Sequence, residues 1–204
     1  MYIPDHFRED RPDILRDAVR RIGFATLATQ DGKNSLDANH LPMLLQENGD
    51  GNVLRGHVAR ANPVWQKAKG QALAIFLGPH AYVSPNWYPS KAETGKAVPT
   101  WNYITVHARG PIRWIPDVDW LRAHVTALSD AHEAGRAQPW KVSDAPVSYV
   151  DSLLRAIVGF ELSIERLEGK YKLSQNRDAA DYAGARDGLV RDGHEDVARL
   201  MERK

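Results

Sequence analysis

The stretch Arg55-Gly56-His57-Val58-Ala59-Arg60-Ala61-Asn62-Pro63 brings a glycine, a histidine, a guanidinium and a helix-capping asparagine to the end of one extended segment. Backbone N–H groups and the dipole at a helix start, joined by a bidentate Arg60, can hold a phosphate. The same residues also fit a plainer arrangement, with Asn62 as an N-cap, Arg60 as a surface charge and His57 as a buried, hydrogen-bonded ring. Upstream, the polar Asn39 and His40 of Asn39-His40-Leu41-Pro42 interrupt an apolar alternation, either to meet a heterocycle or to expose an edge to water. Tyr82, Trp87, Tyr88 and Trp101-Asn102-Tyr103 supply flat side chains with polar tips, which suit a planar cofactor, a dimer interface or a packed core. The basic run from Lys170 to Arg177, with Lys172, Gln175 and Arg177, is either a solvated turn or a segment folding toward an anion.

These residues need a scaffold, and the patterning predicts one. Pro12 to Ile22 reads as an amphipathic helix stopped by Gly23. Strands are expected over Phe24–Thr29 and Leu36–Leu45 around an Asp31-Gly32 turn, then over Val53–Ala59 after a turn-rich Glu47–Asn52. A short helix follows Asn62-Pro63, and Gln71–Leu77 is the most apolar strand, separated by Gly78-Pro79 from a second piece, Ala81–Ser84. Residues 85–98 hold too many prolines, glycines and polar residues for regular structure and are expected to form a long site loop. Thr100–Trp114 is a strand interrupted at Gly110-Pro111; a helix with the stripe Val118, Leu121, Val125 and Leu128 follows, then a helix from Asp144 and a last strand through Phe160, Leu162 and Ile164. His124 and His132 are expected on a mostly solvated helix, in ordinary surface roles rather than as metal ligands. The stretch after Asp178, with its weak stripe of Leu189, Val197, Leu200 and Met201, reads as one or two solvated helices. The expected fold class is mainly β with peripheral α-helices, a small barrel over residues 1–178 carrying residues 179–204 as a helical tail of the same domain.

Composition removes several classes of function. The 204 residues are 43% hydrophobic and carry 27 basic against 26 acidic side chains, a net charge of +1, so no overall field draws the chain to nucleic acid or an anionic membrane. There is no cysteine, which excludes disulfides, thiolate catalysis and Cys-ligated metal centres and fits a cytoplasmic setting. The longest apolar run, Ala72–Leu77, is too short to cross a bilayer, and no export signal is visible. Dinucleotide, P-loop, zinc-protease, nucleophile-elbow and EF-hand motifs are all missing, and no metal site is expected.

The order and wording of the segments carry a resemblance. Met1-Tyr2-Ile3-Pro4 with His6-Phe7, Asn39-His40-Leu41-Pro42, Gly56 to Pro63, Gly78 to Pro85 with Trp87-Tyr88, Val98 to Tyr103, and Lys172-Leu173-Ser174-Gln175-Asn176-Arg177 together resemble the PaiB family of FMN-binding negative transcriptional regulators, from residue 1 to about 180. The resemblance implies an FMN-binding split β-barrel similar to pyridoxamine-phosphate oxidase, and a homodimer with cofactor sites at the subunit interface. It also implies repression of sporulation and of degradative-enzyme or protease genes. Residue by residue, it implies that His57, Val58, Ala59, Arg60 and Asn62 hold the FMN phosphate and that Asn39 and His40 line the isoalloxazine. Trp101, Asn102 and Tyr103 would reach the cofactor from the same or the partner subunit, and Lys172, Gln175 and Arg177 would close over it.

Three functions compete. The first is a regulator with flavin as ligand or redox sensor, although no helix-turn-helix or basic arm is visible and DNA as a partner rests on family analogy. The second is a flavin-dependent oxidoreductase acting on a small molecule with NAD(P)H. The third is haem binding, ranked last because no histidine stands out as an axial ligand.

Overall fold

The computed structural model describes residues 1–48 and 51–202. Its elements are β1 (Arg8–Glu9), α1 (Pro12–Ile22), β2 (Phe24–Gln30), β3 (Leu36–Pro42), β4 (Leu44–Asn48), β5 (Gly51–Ala59), α2 (Val64–Lys67), β6 (Gln71–Val83), α3 (Pro89–Thr94), β7 (Thr100–Ile115), α4 (Val118–Glu133), α5 (Val147–Arg155), β8 (Ile157–Ser163), β9 (Arg166–Lys172), α6 (Ala179–Arg191) and α7 (Glu195–Met201). The chain forms two compact units, one of residues 19–76 and 107–167 and one of residues 1–18, 77–106 and 168–204, with β6 and β7 contributing a half to each.

In the larger unit, β2 pairs antiparallel with both β3 and β6, while β8 pairs antiparallel with β5 and β7, and β4 with β5. Strand alternation decides what each face does. Along β5, Leu54, Gly56 and Val58 face one way, where Leu54 and Val58 are buried. Arg55, His57 and Ala59 face the other way and sit opposite Glu161, Gly159 and Ile157 of β8. Onto that second face settles α4, capped by the Asp117 carboxylate, which accepts from Trp120 N–H at 2.7 Å. Gly159 makes the fit possible, because a Cβ there would stand 2.1 Å from the Trp120 ring.

The smaller unit is built on β9, which pairs with β1 and β7. Its core joins Ala81, Val83, Tyr88 and Ile104 to Ala185, Leu189, Val197 and Met201 of α6 and α7. The two terminal helices are therefore packed elements, not the solvated tail expected from their weak stripe. Small residues account for the difference: Ala185, Gly188 and Ala198 are buried, and at Gly188 the Trp87 ring comes so close that a Cβ would meet it at 2.2 Å.

Other elements also differ from expectation. Gly78-Pro79 and Gly110-Pro111 interrupt nothing; β6 and β7 run straight through them. The turn expected over 47–52 is mostly paired strand, Glu47 opposite Asn52 and Asn48 opposite Gly51; Gly49 and Asp50 lie outside the described residues. The expected loop 85–98 carries a short 3-10 helix, Pro85–Trp87, and α3, each with a proline at its first turn. The strand ending near Ile164 is not the last, since the basic Arg166–Lys172 forms β9.

Candidate functional site

In the larger unit the β5 face carries a histidine pair. His57 Nδ1 lies 3.2 Å from His124 Nε2, and the Trp120 ring stacks on His124 at 5.2 Å between centroids. Beside them Arg55 sits over Trp120 at 5.6 Å and donates from Nε to Glu161 at 2.9 Å, while Trp120 Nε1–H donates to the same carboxylate. Burial pushes the Glu161 carboxyl up, but the hydrogen bond from Arg113 and the charges of Arg55 and Arg113 outweigh it and leave the group below its usual range. Burial lowers His57, and burial followed by the neighbouring His57 and Arg55 lowers His124 to about 4. Both imidazoles are consequently uncharged at neutral pH.

His124 is thus not the surface residue expected on a solvated helix: it is 3% exposed. The signal was present, because position 124 lies three after Leu121 and four before Leu128, on the face those two leucines bury. Trp120, one turn earlier, was missed for the same reason.

The remaining expected residues of this unit divide. Asn39 and Asn62 meet, Asn62 Nδ2 donating to Asn39 Oδ1 at 2.6 Å, while Asn62 Oδ1 accepts from Val64 N–H at 3.0 Å at the start of α2. His40 faces Thr26 across the β2–β3 pair, with Nδ1 3.0 Å from Oγ1. The Arg60 guanidinium donates to the carbonyls of Arg155 and Ile157, at 2.7 and 3.0 Å, and its backbone N–H to Ala156 O. Val58 is buried, and Ala59 sits at the strand's end. The close approach expected at Gly56 is taken by the chain itself, since the Phe160 ring stands 2.5 Å from where a Cβ would be.

In the smaller unit a second group collects cations and flat rings. Lys172 Nζ donates to Thr100 Oγ1 and to the Trp101 carbonyl, and lies 5.8 Å from the Phe7 ring centre. Lys170 Nζ stands over both Tyr2 and Tyr103, and Arg177 over Tyr88 at 4.5 Å. Burial, then the charges of Lys170 and Arg177, lower the Lys172 ammonium below its ordinary value. Trp101 is half exposed, edge-on to Tyr82. Asn102 is fully buried, accepting from Ser174 Oγ at 3.0 Å and facing Met201 Sδ, so it braces the interior. Gln175 closes its own turn, accepting from Leu173 N–H and donating to the Tyr171 carbonyl. Lys170 and Tyr88, outside the expected set of direct contacts, belong to this group; the lysine was legible only as part of a basic run.

Solved proteins share the fold. A FAD and heme binding protein from Mycobacterium smegmatis superposes with a TM-score of 0.58 at 17% identity, covering 88% of this chain and 80% of its own. The flavocytochrome Anf3 from Azotobacter vinelandii does so with a TM-score of 0.59 at 12% identity, covering 89% and 78%. The fold class is that of the FMN-binding split β-barrels, mixed α/β with antiparallel strand pairing. The chain belongs to the family described as "Putative FMN-binding domain", whose model matches residues 1–166. Among its relatives, "Protease synthase and sporulation protein PAI 2" of Bacillus subtilis is 32% identical over all of this chain and 98% of its own length. An uncharacterized protein of Emericella nidulans is 36% identical over 93% of this chain and 89% of its own. No helix among the described residues is long and apolar enough to cross a membrane.

Proposed function

We propose that the protein binds FMN as a homodimer with its cofactor sites at the subunit interface, and acts as a negative regulator of gene expression with the flavin as ligand or redox sensor. The observation that carries the reading is the family match over residues 1–166, supported by the name of the B. subtilis relative, which joins protease synthesis to sporulation.

The donor set fits the cofactor's chemistry. A flavin mononucleotide asks for cations to meet its phosphate and flat side chains to meet its ring. Lys170, Lys172 and Arg177 supply cations that, among the described residues, have no carboxylate within ion-pair distance, and Tyr103 and Trp101 supply flat faces in the same unit. Burial lowers Lys172 first, and the repulsion from Lys170 and Arg177 that adds to it is what a bound dianion would relieve. Arg60 fits a phosphate role less well, because its guanidinium already donates to two backbone carbonyls. Bound FMN supplies one- and two-electron redox chemistry; the chain's part is to hold it, orient it and limit water around it.

The test is a titration of the protein with FMN, read by flavin fluorescence and by sedimentation. Dimeric protein with retained flavin bands is expected, and Lys172→Met should weaken binding roughly 10- to 100-fold, the worth of a charge-assisted hydrogen bond. Arg60→Ala should lower stability while changing FMN affinity less. A protein that refuses FMN would overturn the reading. Promoter DNA shifted with a steep salt dependence would support the regulator, whereas turnover of NAD(P)H on the bound flavin with a small acceptor would favour an oxidoreductase.

A further inference from the structure

Within the larger unit a cavity of about 490 Å³ opens between α4, α5 and the outer face of the β5–β8 pair. Val125, Val142, Val150, Leu153, Leu154 and Ile157 make most of its wall, and Trp140 and Tyr149 add two flat rings. His57 and Ser129 are its other polar side chains, and among the described residues no Lys, Arg, Asp or Glu lines it. A phosphate or carboxylate entering would lose its hydration and meet no counter-charge. The size and the ratio of apolar wall to polar contact are those of a small-molecule site.

The histidine pair decides what polar group such a molecule needs. His124 Nδ1 is buried and has no hydrogen-bond partner among the described residues. A buried N–H without an acceptor is rarer and costlier than an empty lone pair, so the His124 proton sits on Nε2 and is donated to His57 Nδ1. The His57 proton is then on Nε2, the one ring nitrogen of the pair that is neither sealed in the interior nor hydrogen-bonded among the described residues. Burial keeps both rings uncharged at neutral pH, so the donor is a neutral N–H.

We propose that this cavity binds an uncharged, flat and largely apolar small molecule that accepts a hydrogen bond from His57 Nε2–H through a carbonyl-type oxygen. The site is distinct in chemistry from the Lys170, Lys172 and Arg177 group, which offers charge where the cavity offers none, and its occupancy does not depend on flavin. The exposed Val147, Tyr149 and Leu153 of α5 extend the apolar rim outward, which gives such a molecule a path in.

The probes are 1-tetralone and tetralin, one bicyclic frame with and without the carbonyl. Full-length protein is titrated with each by calorimetry, with the imidazole 15N signals followed by NMR. We expect 1-tetralone to bind at least tenfold more tightly than tetralin, with a shift of the His57 Nε2 signal. His57→Phe, which keeps a flat ring and removes the donor, should bring 1-tetralone down to the tetralin level. Ala145→Trp, which fills the cavity from its wall, should abolish binding of both while the circular dichroism stays unchanged. Equal affinity of the two probes for the unmodified protein, or no binding of either, overturns the proposal without recourse to any variant. So does a dimer that dissociates on Leu153→Asp, which would mean a second copy covers this face.

Discussion

Gly110→Ala should destabilise the protein by about 3 kcal/mol or more, among the largest losses open to the removal of no interaction at all. A Cβ at position 110 would lie 1.7 Å from the carbonyl oxygen of Ser163, 2.9 Å from its carbonyl carbon and 3.2 Å from the backbone nitrogen of Glu165. All three are main-chain atoms at or just past the end of β8, and none can rotate away as a side chain would. The neighbouring strands are also tied there, since Glu165 N–H donates to the Arg109 carbonyl at 2.9 Å. Relief therefore requires β7 and β8 to part, which breaks backbone hydrogen bonds around Ile112 and Leu162, both buried. The comparison is Gly32→Ala in the turn after β2, where nothing lies within 4 Å of a new Cβ and the backbone is outside the left-handed region. That substitution is expected to stay within about 0.5 kcal/mol of the parent. Urea midpoints of the two variants decide the matter. A Gly110→Ala protein as stable as Gly32→Ala would mean the strands are not in this contact.

Gly110 also shows where a sequence is hard to read. A Gly-Pro pair inside an apolar alternation reads as a break, because proline lacks a ladder donor and glycine loosens a strand. In β7 the same pair marks a close crossing: the glycine admits a neighbouring carbonyl and the strand continues. What could be read were the features fixed by local chemistry. Pro12 and Gly23 bound α1 correctly, Gly23 adopting φ +63° and donating to the Val19 carbonyl, and Asp117 caps α4. The polar character of Asn39 and Asn62 and the basic run that holds Lys172 and Arg177 could be read from residue type, but not that the two asparagines pair, because the partners that define these surroundings come from distant segments. Trp120 packs against Gly159 and Glu161 from another part of the chain, and His57 finds His124 across 67 positions. The spacing of His124 from Leu121 and Leu128 places it on the buried side of α4, but only the glycine in β8 opposite His57 shows what Trp120 and His124 pack against.

That burial sets the second large effect, a loss of stability on mild acidification. The unfolded chain protonates a histidine near pH 6.5, whereas His124 in the folded protein does so only at about 4. Between those values the unfolded state binds more protons than the folded one, so stability falls as pH falls; the contribution is intact above about 6.5 and fully lost below about 4. For His124 alone the loss is on the order of 3 kcal/mol, and His57, also lowered by burial, adds in the same direction. The groups facing the pair act together: the Arg55 charge disfavours a second cation, while Glu161 is already engaged by Arg55, Arg113 and Trp120. Carboxylates contribute separately at lower pH, since Glu161 and Glu9 are held below their usual range and lose their stabilising contribution only as they protonate. The histidine effect is isolated by His124→Phe, which keeps an aromatic ring against Trp120 and cannot titrate. Denaturation midpoints measured at steps from pH 7.5 to 4.5 should fall steeply for the parent protein and much less for the variant. Parallel curves for the two would show that the imidazoles are solvated in the folded state and that α4 does not seal them against β5.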